Sequence, residues 1–488
     1  MNILMVCSEF APLAKTGGLA DAVTGLSEAL SARGHDVRVL LPKYAHLPLA
    51  GMELKPAGKS GTKHRYLEVV AAASATAAGP PPRGAVLGAN SRRGSAPRIY
   101  LLDLAELTPG GIYFGDERDA GRFIRLADAA VELADAIDWL PDILHCHDWH
   151  AALVPLVQRA RDPRRPIPTV LSLHNIGYQG IFTDTVLAAY GLEEVRSVAA
   201  PDALVDDTIN FLRAGLRAAD VLTTVSPTYA SEIRTPEFGM GLEDVLNDRA
   251  ADLVGILNGV DYNVWSPSSD PFIDTHYDAT NVSPKYRIKG ALERRVGLLP
   301  DQNAPLLGVV SRLALQKGID LVASVLPMLV AATRANFVFL GNGDATVAAE
   351  LRRLATAHPR RISFTDGYDE QLAHQIFAGS DIALVPSRYE PCGLTQMYAL
   401  RYGTIPVVRA TGGLADTIEH FNPAAGTGNG SVFRDADSQG FLWGVRSALG
   451  WFDDPTAWAQ LIANAMAADF SWRKQVRPYE AVYREVAN

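Results

Sequence analysis

The chain is short of cysteine, of net positive charge and of long apolar runs, and each shortage closes a class of function. Three cysteines in 488 residues, at 7, 146 and 392, lie too far apart for a disulfide framework or a zinc-finger spacing. They are read as reduced thiols, which leads us to expect a cytoplasmic protein. Lys and Arg number 45 against 54 Asp and Glu, a net charge of −9. Such a chain lacks the broad positive field that holds nucleic acid or an anionic lipid surface, so neither is expected as a partner. An anionic ligand would have to be met by individual basic residues. No apolar stretch approaches the ~20 residues that cross a bilayer. The opening Met1-Asn2-Ile3-Leu4-Met5-Val6 has no basic region before it and reads as a buried strand, not a signal peptide. Also missing are a Walker A loop and a Gly-x-Gly-x-x-Gly followed by a ribose-binding acid, which argues against a nicotinamide dehydrogenase. No metal is expected: Asp435-Ala436-Asp437 lies in a polar stretch and reads as a solvated loop.

What is present is alternation of strands and helices, the mark of mostly parallel sheets covered on both faces. Asn2 to Ser8 reads as a strand, Lys15-Thr16-Gly17-Gly18 as a turn, and Leu19, Ala22, Val23, Leu26 and Leu30 recur at helical spacing before Val37 to Leu41 returns as a strand. Further strands are expected at Ile99 to Leu102, Ile143 to His147, Thr169 to Leu173 and Val221 to Val225. A second series runs through Leu306 to Val310, Phe337 to Leu340, Ile362 to Phe364, Ile382 to Val385 and Ile405 to Val408. Thr-Gly-Gly-Leu-Ala-Asp occurs twice, at 16–21 and 411–416, each time in a turn opening a helix. Two Rossmann-like domains are therefore expected, residues 1–256 and 257–470, followed by a helix over 471–488 with Ser471 as N-cap and Trp472, Val476, Tyr479 and Tyr483 as its apolar stripe. Such a tail is expected to cross back to the first domain. Residues 71–98 are rich in Ala, Gly, Pro and Ser and read as a flexible surface segment.

The candidate chemistry gathers where strands end. At Lys15-Thr16-Gly17-Gly18 two glycines admit a close ligand and the following helix offers free N–H groups; the same turn could equally be a tight connection with a solvated lysine. Arg312 and Lys317 follow the first strand of the second series, where ligands of open α/β sheets bind, and two cations there could hold a diphosphate. Glu390, in Glu390-Pro391-Cys392-Gly393-Leu394-Thr395-Gln396, follows the strand Ile382 to Val385 and could accept hydrogen bonds from sugar hydroxyls. Asp148 and His174-Asn175 end two strands of the first series. His145 and His147 share a strand face, which suggests either a metal site or hydrogen-bonded core residues.

Taken together, these segments resemble the bacterial glycogen synthases and plant starch synthases. The resemblance rests on Lys-Thr-Gly-Gly-Leu-Ala-Asp (15–21), His-Cys-His-Asp-Trp-His (145–150) and His-Asn-Ile-Gly-Tyr-Gln-Gly (174–180). It continues through Thr-Val-Ser-Pro-Thr-Tyr-Ala (224–230), Glu-Phe-Gly-Met-Gly-Leu (237–242), Leu-Asn-Gly-Val-Asp (257–261), Ser-Arg-Leu with Gln-Lys-Gly (311–318), Pro-Ser-Arg-Tyr-Glu-Pro-Cys-Gly-Leu-Thr-Gln (386–396) and the second Thr-Gly-Gly-Leu-Ala-Asp. It implies an α/β protein of the GT-B fold, two Rossmann-like domains facing each other across a cleft. It also implies a retaining glucosyltransferase that needs no cofactor or metal, takes ADP-glucose as donor and extends the non-reducing end of an α-1,4-glucan such as glycogen. The implied catalytic positions are Asp148, His174, Arg312, Lys317 and Glu390. The implied substrate-binding positions are Lys15, Gly17, Gly18, Asp21, Asn175, Asn258, Tyr368, Cys392, Gly393, Leu394 and Thr395. Of these, Arg312 and Lys317 would meet the diphosphate, Glu390 the glucose hydroxyls, and Tyr368 the adenine. The route implied is a front-face displacement in which the leaving phosphate takes the proton of the attacking hydroxyl. Residues 71–98 depart from the family's usual pattern, and Arg213 stands where the family often has lysine; many related retaining transferases carry a second glutamate where this chain has Tyr398, as in the bacterial synthases. The rival readings are a UDP-sugar-dependent retaining transferase or epimerase of the same fold, and a non-catalytic glucan binder, against which the retained Lys15, Arg312, Lys317 and Glu390 argue.

Overall fold

The computed structural model describes residues 1–49, 51–71, 96–104, 110–164 and 166–487. The Ala/Gly/Pro-rich segment expected to form a surface loop lies outside the described residues from 72 to 95; Arg98–Leu102, at its far end, is a strand. The chain divides into two compact units: Met1–Val225 with Ala230–Gly259 and Trp472–Asn488, and Ser226–Tyr229 with Val260–Ser471.

The first unit is built on a nine-stranded sheet. From one edge it runs Leu253–Gly255, Val221–Thr224, Thr169–Leu173, Ile143–His147, Asn2–Val6, Asp36–Pro42, Arg98–Leu102, Tyr66–Ala71, Met52–Ala57. Neighbours are parallel up to Arg98–Leu102, after which the hairpin of Met52–Ala57 and Tyr66–Ala71 adds antiparallel pairing. The central strands are continuous runs of aliphatic residues because helices cover both faces, which leaves no side for polar alternation. The chain's first strand lies inside the sheet, so connections leave it in opposite directions, to Asp36–Pro42 and, later, to Ile143–His147. That point, where strand order reverses, is where open α/β sheets open a crevice for ligands.

The C-terminal helix Trp472–Ala487 completes this unit. It runs through Pro478, and Trp472, Val476, Tyr479 and Tyr483 are buried in the core shared with Ile3, Met5, Val23 and Leu26. Arg33 clasps Glu480 through two hydrogen bonds of 2.6 and 2.8 Å, and His35 Nε2 lies 3.1 Å from the same carboxylate. Arg33 is the chief cause holding that carboxylate down at about 2. Ser471 precedes the helix, but its hydroxyl is buried without a hydrogen-bond partner, so the expected side-chain cap is not made. Its backbone N–H donates to Asp469 instead.

The second unit holds a six-stranded, fully parallel sheet ordered Ile362–Asp366, Asn336–Gly341, Leu306–Val310, Ile382–Val385, Ile405–Arg409, Ser431–Phe433. Numbered by appearance within the unit, this is the order 3-2-1-4-5-6 of the dinucleotide-binding fold, with its reversal between Leu306–Val310 and Ile382–Val385. A buried ion pair holds those two strands in register: Lys289 Nζ lies 2.7 Å from Asp381, whose carboxylate also accepts the Leu306 N–H at 2.8 Å. Both side chains are nearly inaccessible, so removing either would leave an uncompensated charge at a cost of about 3–5 kcal/mol. Asp437 of the Asp-x-Asp pair caps the helix Ser438–Phe452, accepting from the Gln439 and Gly440 N–H groups. Cys7, Cys146 and Cys392 are buried free thiols. No helix among the described residues is long and apolar enough to cross a membrane.

Candidate active site

In the second unit the reversal point carries a buried carboxylate and its cation. The strand Leu306–Val310 delivers Ser311 and Arg312, and a 3-10 turn at Leu315–Lys317 then brings Lys317 back toward the neighbouring strand end. Gly318 makes this return possible. Its φ is +67°, and a Cβ there would sit 2.2 Å from the Pro386 carbonyl oxygen. Beyond Ile382–Val385 the chain turns through Pro386 and Ser387 to Glu390. Lys317 Nζ meets Glu390 Oε2 at 2.5 Å, and the Ser387 hydroxyl donates to the same oxygen at 2.9 Å. Arg388 ties the two loops together, donating to Asp320 at 2.7 and 2.6 Å and to the Leu315 carbonyl at 2.7 Å.

Beneath Glu390 lies the second Thr-Gly-Gly. The Gly413 N–H donates to the carbonyls of Glu390 and Pro391 at 3.1 and 3.2 Å. Gly412 has φ +43°, and a Cβ on it would fall 1.9 Å from the Glu390 carbonyl oxygen, so only glycine lets the two segments touch. Cys392 is buried, and its carbonyl and that of Gly393 accept from the Gln396 side chain at 3.1 and 2.8 Å. The helix expected to open at Gly393-Leu394 begins at Thr395 and runs to Arg401. Gly393, Leu394 and Thr395 are half-buried at its start. Arg312 is exposed, with no side-chain partner among the described residues, so it is available to a ligand. Tyr368 follows the strand Ile362–Asp366 at the same sheet edge and is 73% exposed. Tyr398 stacks on Trp265 at 4.0 Å with rings 9° from parallel, so its ring serves a packing contact.

In the first unit, Asp148 stands directly after Ile143–His147 with φ +56°, a left-handed conformation that aspartate tolerates better than most residues. Its Oδ1 accepts the His174 N–H at 2.7 Å and the Asn175 N–H at 3.4 Å. Burial pushes its carboxyl up to about 7; those two N–H groups pull the other way, and the nearby Glu9 charge adds a smaller upward push. His174 Nε2 and His147 Nδ1 share a hydrogen bond of 3.1 Å, and burial lowers His174 to about 4. His145 is a core residue, held by Ser172 and by Tyr483 of the C-terminal helix, each at 2.7 Å. Burial takes it down to about 3, so it is neutral. Asn175 closes a local turn by accepting the Gly177 N–H. Asn258 is buried with its Oδ1 unpartnered among the described residues. Arg213 is spent on Asp244, at 2.8 and 2.9 Å, and on Asp202 at 3.2 Å.

The turn Lys15–Gly18 holds a residue that the sequence reading passed over. Glu9, 3% exposed, reaches under the turn and accepts the N–H groups of Thr16 and Gly17, at 2.6 and 3.1 Å, on Oε2. Its Oε1 takes the hydroxyls of Thr16 and Tyr113, at 2.6 and 2.7 Å. These two N–H groups belong to the turn, ahead of the helix Gly18–Ala32. Lys15 pairs with Asp21 at 2.7 Å on the surface, joining two of the expected binding residues to each other. Gly17 is extended, and a Cβ there would meet nothing within 4 Å. A glutamate three residues past a strand carries no spacing signal, and Ser387 was visible only as one letter in Pro-Ser-Arg-Tyr-Glu.

A starch synthase catalytic domain family matches residues 2–248, and a glycosyl transferases group 1 family matches residues 292–464. The chain is 44% identical to the glycogen synthase of Anaeromyxobacter dehalogenans strain 2CP-C, covering 100% of both chains. It is 41% identical to that of Koribacter versatilis, over 99% of this chain and 98% of the relative. The chain belongs to the glycogen synthase family. Among solved structures, the catalytic domain of starch synthase IV from Arabidopsis thaliana, bound to ADP and acarbose, matches at a TM-score of 0.87 and 30% identity, covering 100% of this chain and 99% of that one. Sucrose-phosphate synthase from Thermosynechococcus elongatus matches at 0.61 and 17% identity over 99% and 98%, a likeness of fold alone. Membership makes the chain a glucosyltransferase with two Rossmann-like domains.

Proposed function

We propose that this protein transfers glucose from ADP-glucose to the 4-hydroxyl at the non-reducing end of an α-1,4-glucan, with retention of configuration. The observation that carries the reading is the Lys317–Glu390–Ser387 cluster at the reversal point of the second sheet, with the unpartnered Arg312 guanidinium on the same loop. Arg312 and Lys317 are assigned to the diphosphate, where fixed positive charge stabilises the departing ADP without reorganising at the moment of reaction. Glu390 keeps one oxygen for Lys317 and Ser387 and has the other for glucose hydroxyls. Tyr368, exposed at the same edge, is assigned to the adenine face. Cys392, Gly393, Leu394 and Thr395 are assigned to the phosphate and sugar side of the same loop.

The first unit is assigned to the acceptor. Asp148, poised near neutrality, can accept a hydrogen bond from a sugar hydroxyl, and the neutral His174 can donate or accept beside it. Lys15, Gly17, Gly18, Asp21, Asn175 and Asn258 are assigned to substrate binding on this unit. The route assigned is one in which the leaving phosphate itself receives the proton of the attacking hydroxyl, which requires no protein nucleophile. The domain limits 1–256, 257–470 and 471–488 remain part of this reading, as does a cytoplasmic location.

The test is ADP release by purified protein with ADP-glucose, with and without glycogen, and with UDP-glucose alongside. Release that depends on glycogen and on the adenine donor supports the reading. Preference for UDP-glucose moves the donor assignment, and no release from either donor overturns the reading.

A further inference from the structure

The Lys15–Gly18 turn has the form of an anion site, a strand end followed by a glycine turn and a fifteen-residue helix, Gly18–Ala32, yet the two N–H groups just ahead of the helix are satisfied from within. The Glu9 carboxylate satisfies the Thr16 and Gly17 N–H groups and is itself saturated by the Thr16 and Tyr113 hydroxyls. The clamp is anchored from behind. Tyr113 also shares a 3.0 Å hydrogen bond with the Ser8 hydroxyl and stacks on His150 at 5.1 Å. Its segment is held by the buried Arg122, which donates to the Gly111 and Ile112 carbonyls at 3.1 and 2.6 Å. Asp119 accepts the Phe114 and Gly115 N–H groups on the other side. Burial and the Glu9 charge push the Tyr113 phenol up, so it stays a donor.

We propose that Glu9 is the positioning residue of this turn: its hydrogen bonds fix Thr16 and Gly17, so that substrate is met by Lys15 and by the open side of Gly17 rather than by the N–H groups of Thr16 and Gly17. A second negative group at those N–H positions would face an existing carboxylate and no free donors. The glycine at 17 then has a reason other than backbone conformation, since its φ is ordinary and no protein atom occupies the Cβ direction. The claim deepens the glucosyltransferase reading and rests on it for its kinetic arm.

Two substitutions separate the hydrogen bonds from the charge. In Glu9→Gln the amide oxygen can take the two backbone N–H groups while the amide nitrogen donates to the Thr16 and Tyr113 hydroxyls, both able to accept. In Glu9→Ala the turn loses all four bonds. Hydrogen–deuterium exchange of the segment 14–18 is expected to quicken in Glu9→Ala and to match the parent in Glu9→Gln. With ADP-glucose and glycogen, kcat/KM is expected to fall on the order of 100-fold in Glu9→Ala and to be largely restored in Glu9→Gln. Tyr113→Phe, which removes one donor, should quicken exchange by an intermediate amount and gives the answer should Glu9→Ala not fold. Parental kcat/KM in Glu9→Ala would overturn the proposal. So would a Glu9→Gln variant as impaired as Glu9→Ala while its turn stays protected, because charge would then be the requirement. If the parent protein elongates no glucan, the functional reading fails, and the exchange arm still decides whether Glu9 holds the turn.

Discussion

The two copies of Thr-Gly-Gly-Leu-Ala-Asp show how little six residues determine when what lies beneath them differs. At 16–21 the threonine is exposed, the first glycine is extended with open space beside it, and the aspartate pairs with Lys15 on the surface. At 411–416 the threonine is buried, the first glycine is left-handed against the Glu390 backbone, and the aspartate accepts the N–H and hydroxyl of Thr228 at 2.9 and 2.6 Å. The first copy is held by a side chain, Glu9, and leaves a face open. The second is held by backbone and serves as the floor of the loop that carries Glu390. A shared local sequence therefore yields a turn with an open face in one unit and a turn that supports the loop carrying Glu390 in the other.

The widest contrast should come from alanine at the first glycine of each copy. Gly412→Ala combines a disfavoured backbone with a carbonyl collision, and denaturant unfolding should show a loss of roughly 3–5 kcal/mol. Gly17→Ala should change stability by less than about 0.5 kcal/mol while lowering kcat/KM; equal destabilisation of the two variants would abolish the distinction. Next comes Lys317→Ala, for which kcat should fall about 10²–10³-fold while the unfolding midpoint moves far less than in Gly412→Ala. Unaltered turnover would remove Lys317 from the site.

The two buried carboxylates differ in the same sense, because Glu390 has a lysine and Asp148 has only N–H donors. The folded Asp148 carboxyl sits near 7 against an ordinary value of 3.8. Its contribution to stability is thus complete below about pH 4 and is lost as pH rises toward and through 7. Asp148→Asn, which tolerates the same backbone conformation, should flatten the fall in stability over that interval; an unchanged pH profile would show that the carboxyl is not perturbed. The smallest pair of effects concerns the aspartates. Asp416→Ala should cost about 2 kcal/mol and Asp21→Ala less than about 1, since the Lys15 pair is largely exposed.

Much of this was legible because the strands are continuous aliphatic runs and the motifs sit where those runs stop. The expected strands Ile143 to His147, Thr169 to Leu173, Leu306 to Val310 and Ile382 to Val385 have the same limits in the structure. Two Rossmann-like halves and the family followed from that pattern and those motifs. The hairpin Met52–Ala57 with Tyr66–Ala71 was not foreseen, because its edge position permits lysine, glutamate and proline among the apolar residues. Glu9 escaped because its role depends on Tyr113, over a hundred residues away, and on the reversal of strand order, neither of which is local. Ser471 looked like a cap, yet its hydroxyl has no partner among the described residues, and only its backbone N–H is engaged by Asp469. The resemblance pointed to Arg312 and Lys317 together, but only the structure separates them: one is paired with Glu390 and the other is free.

The tail helix has a consequence for how the molecule comes into being. Its Trp472, Val476, Tyr479 and Tyr483 belong to the same core as Ile3 and Met5, so the unit translated first is finished last. From Gly259 to Tyr483 the ribosome must add 224 residues, about 11–45 s at ~5–20 residues per second, before that core can close. Throughout that interval the apolar residues that the tail covers are left without it, while the second unit, nearly contiguous in sequence, can complete its own sheet. Birth order and completion order are reversed.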